Sequence, residues 1–301
     1  MMQIIKHKKW FLSVSLIVVL ASIIAIAFLG FNLGVDFRGG TLWQLRFQEV
    51  EEAELRGFLE NELLLPSPTI SYDEAQNIYS ILLPEIDTET KIAYLSALRG
   101  EFGEVEEVDF WLASPAISAE LRRKAIWAVG LVLLFVSLYI ALAFQKVSRP
   151  VHSYKYGIIT MIALAHDVLI AAGFFAVLGY LMELTVDSNF VVALLVIMGY
   201  SVHDTIVVFD RIRENLFGYR TGGDLAEIVN RSINEIFRRS INTSLTLMLV
   251  LLAIFFFGPA SIKYFVLTIF IGAFVGTYSS IFVAGPLLVV WHQLTLKKLV
   301  K

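Results

Sequence analysis

A membrane bundle of six helices carrying one α+β domain between its first and second helices is the fold class this sequence predicts, on three observations. Hydrophobic residues make up 57% of the 301 and charged residues 17%, with a mean hydropathy of +0.72, above the roughly half apolar usual for soluble domains. The apolar residues gather in six long runs, as helices crossing a hydrocarbon core of roughly 30 Å require. The stretch 31–123 between the first two runs is charged, and its pattern switches between strand and helix periods.

The first run, Trp10 to Gly30, has no charge inside it. Lys6, Lys8 and Lys9 precede it as in a signal peptide, but the run is long and no small-x-small site follows, so it reads as an uncleaved anchor. The others are Ile126 to Phe144, Tyr156 to Leu181, Asn189 to Phe209, Thr243 to Phe257 and Tyr264 to Trp291. Lys146, Arg149 and Lys155 fall in one connector, six arginines in the connector 210–242, and Lys297, Lys298 and Lys301 in the tail 292–301. By the positive-inside tendency both termini and these connectors are cytoplasmic. Arg122, Arg123 and Lys124 lie on the opposite side, and the even number of spans with four basic segments inside outweighs them. The expected division is 1–30 for the N-terminus and first span, 31–123 for the outer domain, and 124–291 for the remaining spans.

In the outer domain Gly40–Gln48, Pro68–Tyr72, Gln76–Leu83 and Val105–Leu112 read as strands, the last alternating through Val105, Val108, Phe110 and Leu112. Glu51–Leu63 and Thr88–Phe102 space their apolar residues as helices do. The order β-α-β-β-α-β is that of a ferredoxin-like domain. Its carboxylates form a solvated surface, and it carries no obvious nucleophile, metal cluster or phosphate loop.

Ionisable residues inside apolar runs need a partner or a role, since each costs on the order of 3 kcal/mol on insertion scales. His166 and Asp167 fall near the middle of the third span, and His203 and Asp204 in the inner half of the fourth. Ser201, Asp204, Val208 and Arg211 share one helical face. Arg238 and Arg239 begin the fifth span at a similar depth, where either could neutralise Asp204. Two readings stand: the carboxylates exchange partner and proton, as in ion relays, or each His-Asp pair is an interhelical contact holding the bundle together. His203 points about 100° away from Asp204, which favours the second reading for it. Adjacent His and Asp diverge around a helix, unlike the one-turn spacing of helical zinc ligands, so no metal site is assigned.

Asp224–Phe237 is amphipathic and is expected to lie on the membrane surface or dock on a partner. Gly272 and Gly276, extended by Ser279 and Ser280, form a close-packing face whose partner helix the sequence leaves open. The net charge of −3 gives no reason to invoke nucleic acid, and the absence of cysteine excludes disulfides and thiolate metal sites. No G-x-x-x-x-G-K-S/T loop is present, so an ATPase is not expected.

Three segments together resemble the SecD/SecF family of protein-export membrane proteins, within the resistance-nodulation-division superfamily. Gly34-Val35-Asp36-Phe37-Arg38-Gly39-Gly40-Thr41 resembles the family signature G-I/V-D-F-x-G-G-T. Ala165-His166-Asp167 is the second, and Gly199 to Asn215, with Gly199-Tyr200-Ser201-Val202-His203-Asp204-Thr205 at its start, is the third. Arg239-Ser240-Ile241-Asn242-Thr243-Ser244 continues the match, which covers essentially the whole chain.

The resemblance implies a SecF-type subunit of the bacterial inner membrane, pairing with a separate SecD chain beside the SecY/SecE/SecG channel, with YajC a further partner and a translocating polypeptide as substrate. It implies that proton flow moves the outer domains, with Asp204 carrying the proton and Arg239 as its charge partner. His203 stands where the family more often has Asn. Gly34, Asp36, Gly39 and Gly40 are the signature, and the glycines also fit a simple hinge between helix and strand. No cofactor and no enzymatic activity are implied. The alternatives are a scaffold for translocase assembly without ion coupling, and half of a small-molecule or lipid exporter.

Overall fold

The computed structural model describes residues 2–48, 50–65, 68–73, 76–145, 151–218 and 224–299; Lys146, Arg149, Arg220 and Lys301 of the basic segments lie outside them. Among the described residues six helices are long and apolar enough to span a membrane: Ile5–Leu29, Pro115–Ala143, Ser153–Met182, Ser188–Phe217, Leu225–Phe257 and Lys263–Lys297. The chain divides into two compact units, one of Met1–Gly30, Trp127–Tyr180 and Asn189–Lys301, the other of Phe31–Ile126 together with Leu181–Ser188. The second unit, labelled outer after the expected division, includes Leu181–Ser188 between the third and fourth spans.

Within the outer unit a short helix α2 (Val35–Arg38) leads into β1 (Gly40–Phe47), followed by α3 (Glu52–Asn61), β2 (Thr69–Asp73), β3 (Ile78–Leu83), α4 (Thr88–Phe102) and β4 (Val105–Ala113). The strands form one antiparallel sheet in the order β2-β3-β1-β4. The period of two in β1 turns Trp43, Leu45 and Phe47 to one face, where they are buried with Leu55 and Leu59 of α3, Leu98 of α4 and Ile81 of β3. β4 departs from the alternation expected. Its register against β1 shifts between Gln44 and Leu45, which pair with Asp109 and Glu107. Val108 is thus the extra residue of a bulge, and it is exposed while Val105 is buried and Phe110 packs against the core.

The bundle unit contains α1 (Lys8–Leu29), α8 (Leu225–Phe257), α9 (Lys263–Ser279) and α10 (Gly285–Leu299), with most of α5 (Pro115–Ala143), α6 (Ser153–Met182) and α7 (Ser188–Gly218). Small residues let backbones approach. A Cβ on Gly157 would stand 2.5 Å from the Ser137 carbonyl, and one on Gly173 would stand 2.7 Å from the Ser22 Cα. Gly272 and Gly276 meet Ile197 and Ser201 of α7, so their close-packing face is used inside this chain. A π-helical segment, Ser280–Ala284, joins α9 to α10.

The amphipathic stretch Asp224–Phe237 is not a separate helix but the beginning of α8. Asp224 caps α8 by accepting from the Ala226 amide at 3.1 Å, and the helix runs unbroken to Phe257. Its apolar face is buried in a cluster of Leu225, Val229, Ile233 and Ile236 with Ile5, Phe209, Ile212, Ile281 and Leu288. The stripe found an internal partner, which apolar periodicity cannot distinguish from a lipid surface.

Candidate functional site

Two buried carboxylates occupy the bundle, and their surroundings differ. Asp167 on α6 is 0% exposed. Its Oδ1 lies 2.8 Å from His166 Nδ1, and its Oδ2 accepts from the hydroxyls of Ser201 on α7 and of Ser279, the last residue of α9, the latter at 2.8 Å. A buried carboxylate with three such partners is well satisfied. Asp204, one turn beyond Ser201 on α7, is 2% exposed. Its Oδ2 meets the Ser244 hydroxyl only at 3.4 Å, while the same hydroxyl is 2.8 Å from the Ser240 carbonyl. The hydroxyls of Tyr200 and Thr277 reach Ser244 at 2.8 and 2.6 Å. Thr205 and Ser280 hydroxyls are 2.9 Å apart, and Ser280 also reaches the Ser201 carbonyl at 3.5 Å.

Neighbouring residues on a helix point about 100° apart, and Ser279 and Ser280 stand next to each other where α9 passes into the π segment. The two neighbouring serines reach different targets, Asp167 on α6 and Thr205 on α7. Hydroxyls from α7, α8, α9 and the π segment thus gather around the two carboxylates.

The other predicted residues fall elsewhere. His203 is exposed on α7, turned away from Asp204 as the 100° step requires. His166 is buried, its Nε2 without a hydrogen-bond partner and its ring stacked on Tyr278 with centroids 6.5 Å apart. Arg238 and Arg239 are exposed on α8, and neither is ion-paired among the described residues. The expected Arg239 to Asp204 pair is therefore not formed in this arrangement. Arg211, on the Asp204 face, pairs with Glu235 of α8 at 2.7 Å. Glu235 also accepts from Asn215 at 2.9 Å. Sequence reasoning named Ser279 only for close packing and Ser244 only within the family match, and it did not single out Thr277 or Glu235; the hint was the run of small hydroxyl residues beside Gly276.

The signature segment builds a separate feature inside the outer unit. Leu33 and Val186 form a parallel bridge; the Val186 amide donates to the Asn32 carbonyl at 2.6 Å and the Gly34 amide donates to the Val186 carbonyl at 2.9 Å. Asp36 Oδ2 accepts from the amide of Ser188, the first residue of α7, at 2.9 Å. Gly39 and Gly40 adopt φ of +83° and +116°, a region costly for other residues. Gly34 does not; its role is space, since a Cβ there would lie 3.1 Å from the Val186 carbonyl oxygen. This clasp gives a direct test. Asp36→Ala is expected to speed hydrogen exchange at the Ser188 amide several-fold, up to about 30-fold, the range of a lost helix cap. Unchanged exchange would show that the carboxylate does not hold that end of α7.

Comparisons with known proteins agree along the whole chain. The family model described as protein export membrane protein SecD/SecF, C-terminal, matches residues 94–294, and that of the SecD/SecF GG motif matches residues 24–49. The chain is 42% identical to the protein translocase subunit SecF of Thermobaculum terrenum, over 97% of this chain and 95% of that protein. It is 34% identical to the corresponding subunit of Sebaldella termitidis, over 95% and 90%. The crystal structure of SecDF from Thermus thermophilus superposes with a TM-score of 0.81 at 36% identity, covering 95% of this chain and 38% of that one.

Proposed function

Because the chain belongs to the SecD/SecF family of protein-export membrane proteins, we propose that it is the SecF-type accessory subunit of a Sec translocase and, with a SecD partner, uses the proton gradient to drive late stages of polypeptide export. The observation that carries this reading is the pair of buried carboxylates among hydroxyls. Asp204 is enclosed yet loosely held, as a group that gains and loses a proton must be, whereas Asp167 is held on both oxygens. Arg239 serves as charge partner to Asp204 in another state of the cycle, reached by moving α8 against α7. The SecD association follows from the fused SecDF relatives. We place both termini in the cytoplasm, the SecY/SecE/SecG channel and YajC alongside, and the outer unit, read as a ferredoxin-like domain, against the emerging polypeptide.

Asp167 favours a second role. Its saturated hydrogen bonding fits a fastening of α6, α7 and α9, and so a scaffold component within the same protein.

The test is completion of preprotein translocation in sealed vesicles carrying the channel and SecD, with and without this chain, each with and without an imposed proton gradient. The gradient-dependent component is expected only where the chain is present. A chain that raises translocation equally without a gradient acts as a scaffold.

A further inference from the structure

A groove of about 420 Å³ lies between α1 and α10, at the end of the bundle where the first described residues and the last span meet. Lys8, Lys9 and Lys297 line its mouth, and Leu12, Leu16, Val290 and Leu294 its floor. Three cations so close together normally recruit carboxylates. Here Lys8 donates to the neutral Gln293 at 3.0 Å, and none of the three is ion-paired among the described residues. Among the described residues, no carboxylate compensates this local charge.

The floor has the opposite character and a defined direction. Lys8, Leu12 and Leu16 follow one another at four-residue spacing along one stripe of α1, so the groove passes from cationic to apolar over about 12 Å of helix. Trp10, 62% exposed beside the lysines, is the residue type that settles at the boundary between hydrocarbon and headgroups. An anionic head with an apolar tail fits both halves, whereas a free anion fits only the mouth. We propose that this groove binds an anionic glycerophospholipid, its phosphate at Lys8, Lys9 and Lys297 and an acyl chain over Leu12, Leu16 and Leu294. Basic pockets at the membrane-proximal ends of helices hold such headgroups. The site is independent of ion coupling and rests only on membrane insertion.

Native mass spectrometry of the full chain in detergent, titrated with phosphatidylglycerol or phosphatidylcholine, tests it. Phosphatidylglycerol is expected to bind and the zwitterionic lipid to bind at least tenfold more weakly. The triple variant K8Q/K9Q/K297Q is expected to lose about 10- to 100-fold in phosphatidylglycerol affinity. K8R/K9R/K297R should keep it, and Lys124→Gln, whose lysine pairs with Glu120 at 2.7 Å, should leave it unchanged. Thermal unfolding in phosphatidylcholine confirms that the variants fold. Equal binding of the two lipids, retention by the glutamine variant, or displacement by millimolar inorganic phosphate would each overturn the assignment, the last by showing an anion site indifferent to the acyl chain.

Discussion

Replacing Gly40 with alanine is expected to cost the outer unit the start of its β1–β3 pairing. At φ +116° any side chain is strained, and the added Cβ would stand 2.4 Å from the Leu83 carbonyl oxygen. That oxygen is backbone and cannot rotate aside, while the next residue, Thr41, is in register with Leu83 itself. Strain at such a position is of order 1–3 kcal/mol, and relieving the collision sacrifices ladder bonds in addition. A loss of about 3 kcal/mol or more is a large part of the stability of a small domain. Gly103→Ala separates the two causes, because Gly103 has φ +77° and open space where its Cβ would go; it should cost only the backbone strain, of order 1–3 kcal/mol. Hydrogen exchange of the β1 and β3 amides in the intact chain measures both, and equal effects would mean that the collision with Leu83 contributes nothing.

The second large effect is expected at Asp204. Asparagine has nearly the same shape, and the looseness of the Ser244 contact at 3.4 Å leaves little hydrogen bonding to lose. Asp204→Asn should therefore leave folding and SecD co-purification intact while the gradient-dependent part of translocation falls by at least about tenfold, since the residue no longer ionises. Asp167 should respond in the opposite sense. Asp167→Ala removes the acceptor of Ser201, Ser279 and His166 together, and stranding buried donors costs about 1–3 kcal/mol each. It should lower thermal stability and yield before any question of coupling arises. Normal gradient-driven translocation by Asp204→Asn would remove this residue from the ion path.

These two expectations show which parts of the molecule were legible in the amino-acid order. Spans such as Trp10 to Gly30 were readable because lipid imposes length and composition on every residue of a helix. The strands and helices of the outer domain were readable because one sheet face is buried and its period of two survives in Trp43, Leu45 and Phe47. Val108 was misread because a bulge inserts one residue without leaving a mark in hydropathy. Asp167 and Asp204 stood out by the cost of a carboxylate in lipid, but that cost says nothing about who satisfies it. Ser279 and Ser280 are ordinary in composition, and the 100° step between neighbours on a helix, which hydropathy does not mark, turns them toward separate helices. The stripe of Asp224–Phe237 was legible as amphipathic, and its partner was not, since Ile5 and Leu288 come from opposite ends of the chain.

The clasp between Asn32–Asp36 and Val186–Ser188 also imposes an order on biosynthesis. The four strands and both longer helices of the outer unit lie within Phe31–Ile126 and are complete on the nascent chain while Leu181–Ser188 is still unmade. At about 5–20 residues per second, the missing segment arrives roughly 3–12 s later. During that interval the amide of Gly34 and the carboxylate of Asp36 wait without the Val186 carbonyl and Ser188 amide they will meet. The outer unit is thus finished well after its sheet, and its final contacts report that α7 has begun.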